Sequence, residues 1–416
     1  LAGRVLVNLN NGSALWSSDG TEQGTFELID FERQAGFFAA TPDRIIYEMR
    51  TPDFSGIALW STDGTVGGNR QLSTYCTASC SQIATQRQTT PDGLVYFFGE
   101  GPNPDPNRSN SALWRTDGTV GGTFRLSEAG PTFNFSSRSF LALAGERAFF
   151  VADVGGDEEL WVSDGTVAGT NRVTPWPDRA RLLGGAGGDL IFLVFEPNFT
   201  QAHVWVSDGT ATGTRQLAST TPGIGQPDDA FFYSRGDELL LSLRDERNAG
   251  QIWRTDGTVA GTRALEGAKA SVGQGSRPSD LTVAGGSLFF STEGSFQDPG
   301  ALYKTRGDSA STVRLDVGLP DNPAVIGAAG QRVVVFGNAG LWATDGSDGG
   351  ARFLAGLETS FASDLKAVAL GDRLLISESL VRQFRLWVTD GTAAGTSMVG
   401  QLDTLGGSSV PSAHAV

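Results

Sequence analysis

The chain has two histidines, two cysteines and three lysines among 416 residues, and each scarcity removes a class of chemistry. The two imidazoles are His203 and His414, and His203 sits in an apolar stretch before Val204-Trp205. Neither a Ser-His-Asp triad nor a zinc site is convincing on that basis. Cys76 and Cys80 have no further Cys and no nearby His, too few ligands for a metal, so a small loop disulfide is expected rather than two free thiols. With a net charge of −15 and a pI near 4.6 the chain offers no basic stripe to a nucleic-acid backbone. No window approaches the roughly 18 apolar residues of a membrane span, which argues against membrane insertion, and no segment carries an amphipathic helix pattern. The sequence begins at Leu1 rather than Met, and the expectation is an upstream signal peptide and an extracellular or cell-surface location.

What is present is a repeat. The stretch Glu159–Thr170, Glu-Leu-Trp-Val-Ser-Asp-Gly-Thr-Val-Ala-Gly-Thr, returns along the whole chain, centred on Trp16, Trp60, Trp114, Trp161, Trp205, Trp253, Tyr303, Trp342 and Trp387. An aliphatic residue beside an aromatic one sends side chains to opposite faces of a strand, so both faces must be buried. Asp-Gly then ends the strand in a tight turn, because Gly accepts positive φ and the Asp carboxylate bonds nearby N–H groups. A second Gly-Thr opens a short return strand.

Each copy is preceded by an apolar run, such as Leu94–Phe98, Ala148–Val151, Leu190–Phe195 or Val333–Phe336, and most runs by a weaker one, such as Phe140–Leu143 or Leu365–Val368. Four antiparallel strands, a to d, in a period of about 46 residues with long Pro-, Ser- and Gly-rich crossovers predict an all-β protein, a β-propeller of nine blades in one domain spanning 1–416. The first repeat (1–30) lacks its strand a, and residues 406–416 form an unused tail. The tail is therefore expected to supply that strand and close the ring.

On these residues the chain resembles the bacterial family whose repeat is written ELWxxDGT, matched most closely by Glu159-Leu160-Trp161-Val162-Ser163-Asp164-Gly165-Thr166. The resemblance implies a secreted or surface-associated propeller and carries no catalytic residue with it. Two repeats depart from the pattern, at Arg306-Gly307-Asp308 and at Asp345-Gly346-Ser347-Asp348-Gly349-Gly350, and looser turns are expected there. Arg306-Gly307-Asp308 matches an adhesion tripeptide but is read as a degenerate turn.

Strand order puts the b–c loops and the crossovers on one face, which holds nearly all the length variation, and variable loops on a rigid scaffold are where binding resides. There strand b tends to end in a carboxylate: Glu48, Glu100, Asp153, Glu196, Asp245, Glu293 and Glu378. These either cap strand ends or form a ring of negative potential able to attract Ca²⁺ or a basic partner. The loop aromatics Phe133, Phe135 and Trp176 are either contact anchors or packing residues, and Trp176→Ala is expected to cost much less than the same change at Trp161 or Trp205. With no distinctive catalytic constellation and no cofactor called for, the expected function is a non-enzymatic scaffold holding a protein or glycan. The alternative is a glycoside-cleaving enzyme with paired carboxylates at the central funnel.

Overall fold

A strand with Leu on one face and Trp on the other can hide both only inside a sheet that is itself covered on both sides. The computed structural model of the chain meets that demand with strands throughout. It describes residues 5–9, 14–18, 21, 23–24, 26–30, 35–51, 56–63, 68–76, 86–100, 111–128, 130, 140–154, 156–177, 179–197, 201–220, 231–235, 237–244, 250–264, 278–292, 300–306, 311–315, 318–359, 361–380, 383–403 and 412–415.

Among these residues stand nine four-stranded antiparallel sheets. The first holds β1 (Val5–Leu9), β2 (Ala14–Ser18) and β3 (Phe26–Asp30); the second β4 (Ala35–Ala40), β5 (Ile45–Arg50), β6 (Ile57–Thr62) and β7 (Arg70–Cys76). The third holds β8 (Arg87–Thr89), β9 (Val95–Glu100), β10 (Ser111–Thr116) and β11 (Phe124–Arg125); the fourth β12 (Leu141–Ala144), β13 (Arg147–Val154), β14 (Asp157–Ser163) and β15 (Asn171–Pro175). The fifth holds β16 (Ala180–Ala186), β17 (Asp189–Phe195), β18 (Ala202–Ser207) and β19 (Arg215–Ser219); the sixth β20 (Phe231–Arg235), β21 (Glu238–Arg244), β22 (Gly250–Thr255) and β23 (Arg263–Ala264). The seventh holds β24 (Pro278–Ala284), β25 (Ser287–Thr292), β26 (Leu302–Thr305) and β27 (Val313–Leu315); the eighth β28 (Ala324–Ala329), β29 (Arg332–Gly337), β30 (Gly340–Thr344) and β31 (Arg352–Gly356). The ninth holds β32 (Leu365–Leu370), β33 (Arg373–Ser379), β34 (Gln383–Thr389) and β35 (Ser397–Asp403). β36 (Ser412–Ala415) joins the first sheet, pairing antiparallel with β1 from Val5↔Ala415 to Asn8↔Ser412. The tail thus takes the expected strand position. By contact the chain divides into two compact units, Leu1–Phe37 with Asn248–Gly250 and Leu265–Val416, and Phe38–Arg247 with Gln251–Ala264. No helix of the described residues is long and apolar enough to cross a membrane.

Within a sheet the Leu face is the drier one. Leu59, Leu113, Leu160, Val204, Leu302 and Leu341 are fully buried, whereas Trp60, Trp114, Trp161, Trp205, Trp342 and Trp387 are half-buried. Trp60, Trp114, Trp161 and Trp205 instead lie against the strand-b aromatic opposite, as in Phe150–Trp161 at 6.0 Å and Phe192–Trp205 at 5.9 Å between ring centroids. Beyond the Leu-Trp pair a bulge on strand d skips one residue: Leu160 pairs with Thr174 and Trp161 with Arg172, leaving Val173 unpaired in the ladder and buried. Leu72, Leu217 and Leu354 occupy the same place in their own repeats.

The Asp-Gly-Thr turn is a closed hydrogen-bond circuit. Asp164 Oδ1 accepts the N–H and the hydroxyl of Thr166 at 2.9 and 2.8 Å, Thr166 Oγ1 accepts the N–H of Gly169 at 2.9 Å, and Thr170 Oγ1 donates back to the carbonyl of Thr166 at 2.7 Å. The buried Ser163 hydroxyl closes it, 2.7 Å from Thr170 Oγ1 and accepting the N–H of Gly165. Gly165 needs its φ of +87°, and Gly169 needs its missing Cβ, which would stand 2.0 Å from Asp164 Oδ1. The turn at Asp345 keeps the first half of the circuit, Asp345 Oδ1 accepting the N–H and the hydroxyl of Ser347, but the N–H of Gly350 goes to the carbonyl of Ser347 and Ala351 replaces the second Thr, so the turn is the looser one expected there. Residues 307–310 lie outside the described residues.

A side chain of one sheet also reaches the turn of the next. Arg115 donates to the carbonyl of Gly165 at 3.0 Å and Arg147 to that of Asp208 at 2.6 Å in one unit. In the other, Lys304 donates to Asp345 at 2.9 Å and Arg332 to Gly391 at 3.1 Å.

Candidate functional site

The acidic strand ends do not occupy equivalent positions. Glu378 lies two residues beyond Ile376, the partner of Trp387, and is fully buried. It accepts the N–H groups of Glu358 and Thr359 at 2.7 and 2.9 Å and the indole N–H of Trp387 at 2.9 Å. Three donors on a buried carboxylate make a strand-end cap. Asp153 lies three beyond Phe150 and is half-buried, and its Oδ1 accepts the N–H of Gly156 at 2.8 Å, which caps the b–c turn. Glu48 is buried. Glu100 ends β9 with its side chain outside the described residues, as are Asp245, Glu293, Phe133 and Phe135. The Cys76–Cys80 pairing and the side chain of Trp16 also lie outside them. Among the described residues no three acidic, His or Cys side chains come together as a metal site.

Trp176 is a packing residue. It is 8% exposed, its backbone N–H donates to the carbonyl of Glu158 at 2.8 Å, and its ring lies 5.1 Å from Phe192 of the next sheet. Pro175 and Pro177 fix the crossover so that the indole turns inward, and the expectation that its loss would cost little is corrected.

The fifth sheet brings three other side chains together. Glu196 follows strand β17, His203 lies at the start of β18 and Ser219 at the end of β19, with His203 directly opposite Ser219 in the ladder. His203 Nδ1 is 2.9 Å from Ser219 Oγ, and His203 Nε2 is 3.0 Å from Glu196 Oε1. Gln216 Nε2 donates to Ser219 Oγ at 2.8 Å, which leaves the serine's own proton for the imidazole. The tautomer satisfying every contact carries its proton on Nε2, donated to Glu196, and presents Nδ1 as acceptor. The imidazole is 19% exposed, while Ser219 and Gln216 face solvent.

The frame beneath is tied by further hydrogen bonds. Glu196 N–H donates to the carbonyl of Gln201 at 3.0 Å, and buried Thr220 exchanges bonds with Ala202 through both its N–H and its hydroxyl, at 2.9 to 3.0 Å. A nucleophile, a base able to take its proton and a carboxylate holding the base are thus within hydrogen-bond reach of one another. Sequence reasoning passed over this group because its members are 7 and 16 residues apart. The signal was the position before the Leu-Trp pair, Ala14, Ala58, Ala112 and Ala301 in four repeats but His203 here.

No protein-family model and no curated protein matches the chain. It is similar to a prolyl endopeptidase structure at 10% identity and a TM-score of 0.43, covering 85% of this chain and 54% of that one. It is similar to oligopeptidase B from Leishmania major at 9% and 0.44, covering 86% and 53%, and to the β-propeller domain of the trilobed protease from Pyrococcus furiosus at 13% and 0.40, covering 78% and 99%. The chain spans about half the length of the first two. The chain is all-β and built of four-stranded antiparallel sheets, and the structures it is similar to include a β-propeller domain. The expectation of a non-enzymatic scaffold, with glycoside cleavage as its alternative, is corrected on the site itself: Glu378 and Asp153 cap strand ends, and Glu196 holds His203 beside Ser219 in a group able to do acyl chemistry.

Proposed function

We propose that the nine sheets are the blades of one propeller closed by β36 on β1, a reading supported by the repeat count and by the antiparallel pairing of those two strands, and that the fifth blade is a serine-dependent acyl hydrolase. The observation that carries the second statement is the Ser219–His203–Glu196 relay. Ser219 Oγ adds to a substrate carbonyl carbon while its proton passes to His203 Nδ1, and the carbonyl electron pair moves onto oxygen. As the oxygen's pair returns, the bond to the leaving group breaks and the leaving group takes the proton from Nδ1. Water, deprotonated by the same nitrogen, then releases the acid and restores Ser219. Glu196 holds the ring and offsets the charge of the imidazolium formed in each half.

The test is turnover of p-nitrophenyl acetate with labelling by a fluorophosphonate. Ser219→Ala and His203→Gln are expected to lower turnover by about 10²-fold or more and to abolish the label. Glu196→Gln should lower turnover and leave Ser219 labelled slowly. A label that persists in Ser219→Ala, or turnover unchanged by it, overturns the proposal.

A further inference from the structure

Strand β19 is the outermost strand of its sheet, with no strand on its far side among the described residues. The N–H of Thr220 is donated inward to the carbonyl of Ala202 at 2.9 Å. Backbone groups of successive strand residues point to opposite sides, so the N–H and C=O of Ser219 are turned outward, to the free edge. His203 and Ser219 are therefore a non-hydrogen-bonded cross-strand pair, the kind whose side chains stand closest, which is why Nδ1 and Oγ meet. One residue thus presents its hydroxyl to the base and its N–H to the open edge.

Natural sheet edges are usually blunted by Pro, Lys or a paired charge. The outer strand of the fourth sheet, β15, is protected in this way: Arg172 is held by Glu159 at 3.1 Å and the strand ends in Pro175. β19 reads Arg-Gln-Leu-Ala-Ser, and its one charge, Arg215, turns back on the carbonyl of Gly213 at 3.3 Å. The bulge at Leu217 twists the first half of the strand, so the open part is Ala218 and Ser219, at the site itself.

Resting on the hydrolase reading, we infer that the substrate is an extended peptide that adds to the β19 edge, its scissile carbonyl oxygen accepting the N–H of Ser219 and a peptide N–H donating to the C=O of Ser219. The pairing lays the carbonyl beside Ser219 Oγ, and the N–H that binds the carbonyl stabilises the oxyanion formed from it. The bond that breaks is the peptide C–N, and the new amine leaves with the proton held by His203.

The experiment compares three probes on the intact protein: p-nitrophenyl acetate, an internally quenched hexapeptide, and the same peptide N-methylated at alternate residues. Trio-dependent cleavage of the ester and the plain peptide, with the methylated peptide cut at least about tenfold more slowly, is expected, since each lost main-chain bond lowers binding several-fold. Ester turnover lost in Ser219→Ala, together with no peptide cleavage or equal cleavage of both peptides, overturns the peptide assignment and leaves the hydrolase site standing. Absence of any Ser219-dependent turnover removes both.

Discussion

Asp164 and Gly169 share one place: the carboxylate occupies the space where a side chain on Gly169 would begin, 2.0 Å from its Oδ1. The same relation holds for Asp208 with Gly213, Asp256 with Gly261 and Asp390 with Gly395, which explains why the repeat carries a second glycine even where no positive φ demands one.

The pair is therefore coupled. Gly169→Ala should displace the carboxylate from Thr166 and cost about 1–3 kcal/mol, whereas Asp164→Ala with Gly169→Ala should cost no more than Asp164→Ala alone. Chemical denaturation of the three variants gives the cycle, and additive losses would mean that carboxylate and glycine do not compete for space.

The turns also predict acid behaviour. In Asp164, Asp208, Asp256, Asp345 and Asp390 a Thr or Ser hydroxyl holds the carboxyl below its usual pKa, with help from the backbone N–H of the same residue. A depressed folded pKa contributes stability that is present above the unfolded value, near 4, and lost as pH falls through the folded one, because in between the unfolded chain binds the extra proton. The melting temperature should hold from pH 7 to about 5 and fall below about 4. Thr166→Val should raise the pKa of Asp164 toward an ordinary aspartate in a carboxyl NMR titration, and an unmoved titration would refute the hydroxyl's role.

Trp176→Ala should cost about 3–5 kcal/mol, since it empties a buried site beside Phe192. Trp161→Ala serves as the comparison. A loss under about 1 kcal/mol at Trp176 would put that ring in solvent.

Deleting residues 411–416 strips β1 of its partner β36 and leaves a bare apolar edge. A drop of several kcal/mol and the onset of aggregation are expected, and an unchanged melting temperature would show that the pairing contributes nothing.

The strands were legible because the aliphatic–aromatic pair recurs nine times and the Asp-Gly turn that follows it eight, so weak copies such as Leu302-Tyr303 are read by alignment with strong ones. Even the tail could be placed, from the missing partner of Val5–Val7. The bulge at Val173 was invisible, since skipping one residue changes pairing without changing the pattern of apolar letters. The carboxylates misled for a related reason. Glu378, Asp153 and Glu196 look alike as strand ends, yet they fall two, three and four residues beyond the residue facing Trp, which gives them a buried cap, a turn cap and a histidine partner. Trp176 was hidden by its prolines, which mark a crossover but not the direction a ring takes from it.

The bonds from Arg115 to Gly165 and from Arg147 to Asp208 cross the border between one repeat and the next. A gene segment encoding the fourth repeat therefore encodes the donor of one latch, Arg147, and the acceptor of another, Gly165, like a tile with a tab and a slot. A duplicated tile fits its parent without any new residue, and a lost tile leaves a tab facing a slot. The latch thus gives a lineage a way to change its number of repeats by unequal recombination, with the contacts of such a tile already compatible on the day the copy appears.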